Sequence, residues 1–103
     1  MIVGIGTDIV EIGRIATALD RHGDRFASRI LDVRELRLFH ASGKPAQFLA
    51  KRFAAKEAAA KAFGTGFRNG LTMRDIQVAH SELGRPELQF TGRALELCRE
   101  LAV

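Results

Sequence analysis

The sequence predicts a single α+β domain spanning residues 1–103, and three stretches carry that prediction. Residues 46–63, AQFLAKRFAAKEAAAKAF, are rich in the strongest helix formers. Residues 75–79 and 87–90 alternate apolar and polar side chains on either side of Leu83-Gly84-Arg85-Pro86, as the two arms of a β-hairpin do. Residues 2–9, IVGIGTDI, set β-branched residues between glycines at the strand period. A strand, several helices, a hairpin and a last helix form the order of an α+β chain. With 47% apolar and 27% charged residues, the composition is that of a globular protein with a modest core.

Each element has its own signal. In the first strand Ile2, Gly4, Gly6 and Asp8 point one way, and Val3, Ile5, Thr7 and Ile9 the other. The glycine face is bare, so a backbone or a ligand can approach it, and Asp8 stands at its end. Ile12, Ile15, Ala16 and Leu19 follow at helical spacing until His22-Gly23-Asp24 breaks the helix. Residues 25–30 form a short basic and apolar turn or helix. Asp32 is placed to cap a helix through Phe39, with Glu35 at its third position as in a capping box. Residues 41–45, ASGKP, are a loop. The long helix stops at Gly64, where a glycine-rich loop opens. Thr91 caps the last helix, whose inner face is Ala94, Leu95, Cys98, Leu101 and Ala102.

Composition narrows the function classes. The one cysteine, Cys98, excludes an internal disulfide and suits a reducing compartment. The apolar start is short, has no basic residues before it and carries an acid. It therefore reads as neither a signal peptide nor a membrane span, and the cytoplasm is the expected location. A net charge of +4 favours an anionic partner. A nucleic-acid-binding module is one such reading, but the chain has no Trp or Tyr to stack on bases and no recognition motif. His22, His40 and His80 are scattered without metal-ligand spacing and read as surface residues.

On the long helix Glu57 and Lys61 are four residues apart, as are Arg52 and Lys56. Alone, Glu57–Lys61 reads as an ordinary surface salt bridge contributing a few tenths of a kcal/mol. Alone, Asp8 reads as a strand-end residue or a cap. Together they point further: two carboxylates and a lysine in small apolar surroundings converge if the helix packs on the strand. Two carboxylates with open positions suit Mg²⁺, which takes its remaining ligands from water and phosphates. Lys61 is then a point charge for those phosphates, and Gly64-Thr65-Gly66 offers unobstructed backbone N–H groups.

Two segments carry a family likeness: G-I-G-T-D-I-V-E-I-G-R-I from Gly4 and F-A-A-K-E-A-A-A-K-A-F-G-T-G from Phe53, about fifty residues apart. They resemble the motifs of the holo-[acyl-carrier-protein] synthases, small bacterial 4′-phosphopantetheinyl transferases. Asp75-Ile76-Gln77-Val78, Gly84-Arg85-Pro86 and Gly92-Arg93-Ala94 resemble the family's later landmarks. The resemblance implies the transferase fold and a Mg²⁺-dependent reaction supporting fatty acid biosynthesis. The 4′-phosphopantetheine arm of coenzyme A passes to a serine of acyl carrier protein, and adenosine 3′,5′-bisphosphate leaves. It implies Asp8 and Glu57 as metal ligands and Lys61 as a catalytic cation. Glu57, Asp8, Glu35 and a metal-bound water remain alternatives for accepting the serine proton.

The resemblance also implies partners. Lys44 and Arg52 match positions near the coenzyme 3′-phosphate, and Lys61, Gly64, Thr65 and Gly66 border the phosphates. Pro45 stands where the family often has a basic residue. Arg14, Arg21 and Arg25, with Arg29 beyond, form a dock for the acidic recognition helix of acyl carrier protein. On charge alone they read as a solvated basic face. The family works as a homotrimer with sites between subunits, and neither nucleic acid nor membrane is expected. Its members usually continue into a further strand with a V-S-[IL]-[ST]-H pattern and a tyrosine. Without that strand, the last helix's apolar face and one sheet edge are expected to lack their cover. A non-catalytic carrier-protein binder is the remaining alternative, and coenzyme binding without product would mark it.

Overall fold

A computed structural model describes the backbone of residues 4–64, 66–67 and 70–101, and side chains within that set from Ile12 onward. Five helices and a hairpin follow in the order α1 (Gly4–His22), α2 (Asp24–Ile30), α3 (Val33–Ala41), α4 (Pro45–Ala62), β1 (Ile76–His80), β2 (Pro86–Phe90) and α5 (Gly92–Glu100). A single 3₁₀ turn, Met73–Asp75, leads into β1. The strands pair antiparallel with Ile76 opposite Phe90, Val78 opposite Leu88 and His80 opposite Pro86.

The chain start corrects the expectation of a strand over residues 2–9. Residues 2 and 3 lie outside the described set, and from Gly4 onward the backbone is helical. A short apolar run satisfies two periods at once. Ile5, Ile9, Ile12, Ala16 and Leu19 recur at intervals of four, three, four and three, so the stripe of the downstream helix extends backward through the alternating segment. The two strands form one sheet of their own, and among the described residues no third strand joins it.

Local chemistry explains the other boundaries. Gly23 takes φ 55° and separates α1 from α2, a backbone setting that glycine adopts without a Cβ penalty. The Asp32 carboxylate accepts the Glu35 N–H at 2.9 Å, and Glu35 Oε1 accepts the Asp32 N–H at 3.2 Å, so the expected capping box starts α3. Pro45 occupies the first turn of α4, where its missing N–H costs nothing. Thr91 stands at the N-cap of α5, but its hydroxyl makes no capping bond. It accepts from Gln77 Nε2 at 3.0 Å instead, tying α5 to β1.

Two apolar clusters form the core, and α4 runs through both. Leu49 and Ala50 join Ile15, Ala27, Ile30, Leu31 and Phe39 near its start. Ala59 and Ala60 join Leu71, Ile76, Ala94 and Leu97 near its end. Each fully buried leucine or isoleucine contributes about 1.5–3 kcal/mol. The inner face of α5 is Ala94, Leu97 and Cys98, while Leu95 and Leu101 are 39% and 50% exposed. This corrects the expected face: the helix turns toward Leu97 because the cluster it covers lies on α4 and β1. Ala102 lies outside the described residues.

Candidate functional site

The C-terminal half of α4 carries the expected chemistry. Glu57 is half-buried, and Lys61, one turn on, is exposed. Among the described residues neither side chain has a hydrogen-bond or ion-pair partner, so the simple surface bridge between them is not formed. Gly64 follows with φ 80° and its N–H donates to the Lys61 carbonyl at 2.9 Å. Gly66, at φ 59°, reaches back to the Ala60 carbonyl at 3.2 Å. These glycines wrap the end of α4 with no side chain over the backbone. Thr65 and the Asp8 side chain lie outside the described residues. No group of three or more His, Cys, Asp or Glu side chains suited to a metal occurs among the described residues.

The rear of α4 carries what sequence spacing missed. Lys56 is completely buried, and Glu35 and Arg52 are 2% and 6% exposed. Lys56 Nζ donates to Glu35 Oε1 at 2.6 Å and to the Ile30 carbonyl at 2.5 Å. Glu35 Oε2 accepts the Val78 N–H at 3.2 Å and lies 3.6 Å from Arg52 Nη1. Arg52 Nη1 also donates to the Val78 carbonyl, and its guanidinium lies 4.7 Å from the Phe48 ring centroid. Burial pushes both the Lys56 ammonium and the Arg52 guanidinium below their ordinary values, with the Glu35 charge opposing that shift. Among the described residues no buried side-chain nitrogen or oxygen is left without a partner.

The remaining expected residues are spread apart, and all but Arg52 are on the surface. Lys44 precedes α4 and is exposed, its N–H accepted by Ser42 Oγ at 3.1 Å. At about 1.5 Å per residue it lies roughly 25 Å along the helix from Lys61. Arg52, the other expected coenzyme contact, is enclosed by Glu35, Val78 and Phe48. Arg14 and Arg21 are exposed on α1, and Arg25 and Arg29 on α2, with Gly23 interrupting the helix between the pairs. A cleft of about 1430 Å³ lies between α2, α3 and the hairpin, where Arg25, Arg29, Arg34 and Arg74 face it. Glu57 and Lys61 do not line it.

This architecture of packed helices beside an antiparallel hairpin, with Glu57 and Lys61 ahead of a glycine turn, defines a class already known. Residues 4–103 match the 4′-phosphopantetheinyl transferase superfamily. A holo-[acyl-carrier-protein] synthase of Halorhodospira halophila is 56% identical over 103 residues, all of this chain and 82% of the relative. The crystal structure of the Neisseria meningitidis holo-[acyl-carrier-protein] synthase superposes with a TM-score of 0.83 at 42% identity, covering 90% of this chain and 74% of that one. A Bacillus anthracis holo-(acyl-carrier-protein) synthase, solved in complex with coenzyme A (3′,5′-ADP), gives 0.68 at 37% identity, covering 80% and 70%. The chain belongs to this superfamily and, within it, to the holo-[acyl-carrier-protein] synthases. Among the described residues no helix is long and apolar enough to cross a membrane.

Proposed function

We propose that the chain moves the 4′-phosphopantetheine group of coenzyme A onto a serine of apo acyl carrier protein, releasing adenosine 3′,5′-bisphosphate. The observation that carries this reading is the pair Glu57 and Lys61, uncommitted to each other at the end of the central helix α4 and followed by an open glycine turn. The coenzyme held by the Bacillus anthracis relative supports it.

In the reaction the serine oxygen bonds to a phosphorus of the pyrophosphate, and the bond from that phosphorus to the bridging oxygen breaks. Such transfer depends on positioning and charge neutralisation more than on a covalent enzyme intermediate. Lys61 supplies positive charge beside the oxygens that gain negative charge. Gly64, Thr65 and Gly66 let phosphates approach the backbone. Glu57, a half-buried carboxylate without a competing partner, fits a hard divalent ion, and Asp8 is the second ligand in this reading. Mg²⁺ bound there would neutralise pyrophosphate oxygens and stabilise the leaving phosphate. Glu35 leaves the set of proton acceptors, because it is buried, accepts hydrogen bonds from three groups and is ion-paired to Arg52. Glu57 and Asp8 are the side chains that remain.

The working enzyme is read as a cytoplasmic homotrimer with sites between subunits. Exposed apolar side chains such as Val33, Leu38 and Leu88 support association. The distance along α4 supports a division of labour in which Lys44 meets a neighbouring subunit's ligand. Arg14, Arg21 and Arg25 receive the acidic carrier protein. Arg52 serves the coenzyme indirectly, by steadying α4.

The test is the intact mass of apo acyl carrier protein after incubation with the enzyme, coenzyme A and Mg²⁺. A gain of one phosphopantetheine is expected, and it disappears with chelator and in Asp8→Ala and Glu57→Ala. Coenzyme binding without any gain would support a non-catalytic binder. Salt-dependent capture of random oligonucleotides, indifferent to Mg²⁺, would support a nucleic-acid module.

A further inference from the structure

The long helix poses a rotational problem. Its large apolar anchors, Phe48, Leu49 and Phe53, lie in its first half; apart from Lys56, its second half buries only the small Ala59 and Ala60, while Ala54, Ala58 and Ala62 are exposed. A stretch held by small apolar side chains loses little burial when it turns slightly about its axis. Hydrophobic packing alone therefore leaves its rotation weakly specified. The directional contacts lie on one side. Lys56 grips the last turn of α2 through the Ile30 carbonyl and α3 through Glu35. Arg52, one turn earlier, grips β1 through the Val78 carbonyl. Glu35 closes the set by accepting the Val78 N–H.

We propose that Lys56 is a positioning residue for the transfer reaction: its buried ammonium fixes the rotation of α4 and so the direction in which Glu57 and Lys61 face the substrate. This rests on the reading in which Glu57 and Lys61 meet the pyrophosphate. Neighbouring residues on a helix are separated by about 100°, so anchoring Lys56 inward sets Glu57 at the edge of the buried face. A carboxylate about 5–6 Å from the axis moves roughly 2 Å when the helix turns by about 20°. Misplacing a reacting group by about 1 Å is enough to lose on the order of a hundredfold in rate. Buried ion networks have their best-attested use in fixing register of this kind, while apolar replacements often stabilise equally well.

The experiment compares wild type, Lys56→Met, Glu35→Gln and Glu57→Ala in the full chain. It reads kcat and KM for both substrates, thermal unfolding, and Mn²⁺ affinity by electron paramagnetic resonance, with Mn²⁺ as the probe for Mg²⁺. In Lys56→Met, kcat is expected to fall at least tenfold with both KM values within about threefold. Its Mn²⁺ affinity is expected to weaken about tenfold, with cooperative unfolding well above the assay temperature. Glu35→Gln keeps the shape and loses the charge, and the same split is expected at smaller amplitude. It decides alone if Lys56→Met does not fold. A folded variant with kcat or Mn²⁺ affinity at the wild-type level would overturn the positioning role. Failure of the underlying reading looks different: wild type then transfers nothing, or Glu57→Ala transfers as wild type does.

Discussion

Glu35 and Glu57 show how far two carboxylates in one small domain diverge when their surroundings differ. Glu35 is enclosed, accepts hydrogen bonds from Lys56, Val78 and Asp32, and lies within ion-pair distance of Arg52. Glu57 stands half-exposed with no partner among the described residues. Removing Glu35 leaves two buried cations without their counter-charge, and stripping one partner from such a network costs about 3–5 kcal/mol. Glu35→Ala is therefore expected to lower stability by that amount in urea unfolding. Glu57→Ala is expected to stay within about 0.5 kcal/mol of wild type, because surface changes away from a network rarely exceed that. Transfer to carrier protein should show the opposite hierarchy of causes. Glu57→Ala loses it while fully folded, whereas Glu35→Ala loses it through destabilisation and displacement of α4.

At the scale of elements, Gly92 shows how a turn joins two parts of the fold. It starts α5 at φ 53°, and a Cβ added there would lie 2.8 Å from Asp75 Oδ1. The left-handed backbone costs a residue with a Cβ about 1–2 kcal/mol, before any shift of Asp75. Gly92→Ala is expected to destabilise by at least that much, measured as a lower urea midpoint at unchanged slope. The same scale shows what the chain reveals unaided. Asp32 with Glu35, Gly64, and the alternation around Gly84 each carry a local signal, so α3, the end of α4 and the hairpin were readable in advance. The chain start was not, because IVGIGTDI fits both strand and helix periods. Lys56 was not either. In sequence it stands four residues from another cation, Arg52, whereas its counter-charge lies 21 residues away on α3. Spacing exposes pairs within a helix and is silent on pairs made by tertiary packing. Of the expected site residues, Glu57 and Lys61 lie in the last turns of α4, and Gly64 and Gly66 follow just past its end. Lys44 stands just before the helix at its far end, and Arg52 lies on its buried side.

Over the whole molecule, positive charge is distributed rather than concentrated. The net charge is +4, yet Arg52 and Lys56 are spent inside the core. Among the exposed cations, Arg14, Arg21, Arg25 and Arg29 lie together on α1 and α2. Long-range attraction of this kind mainly accelerates encounter and selects the partner, and it is screened beyond about 8 Å at physiological salt. Coenzyme A, bound at the end of α4 in the proposed reaction, does not depend on that face. The two substrates should therefore respond differently. Arg21→Glu or Arg25→Glu is expected to raise KM for acyl carrier protein several-fold to tenfold, with KM for coenzyme A within about twofold. Raising the salt should increase KM for the carrier protein in wild type and do so less in the reversed-charge variants, since part of the field is already gone. Steady-state kinetics over a range of salt concentrations, varying one substrate at a time, measures both. Equal salt sensitivity in wild type and variants would remove the α1–α2 arginines from carrier-protein recognition. The arginine-lined cleft between α2, α3 and the hairpin, whose rim shares Arg25 and Arg29 with that face, would then be the next basic surface to mutate, at Arg34 and Arg74.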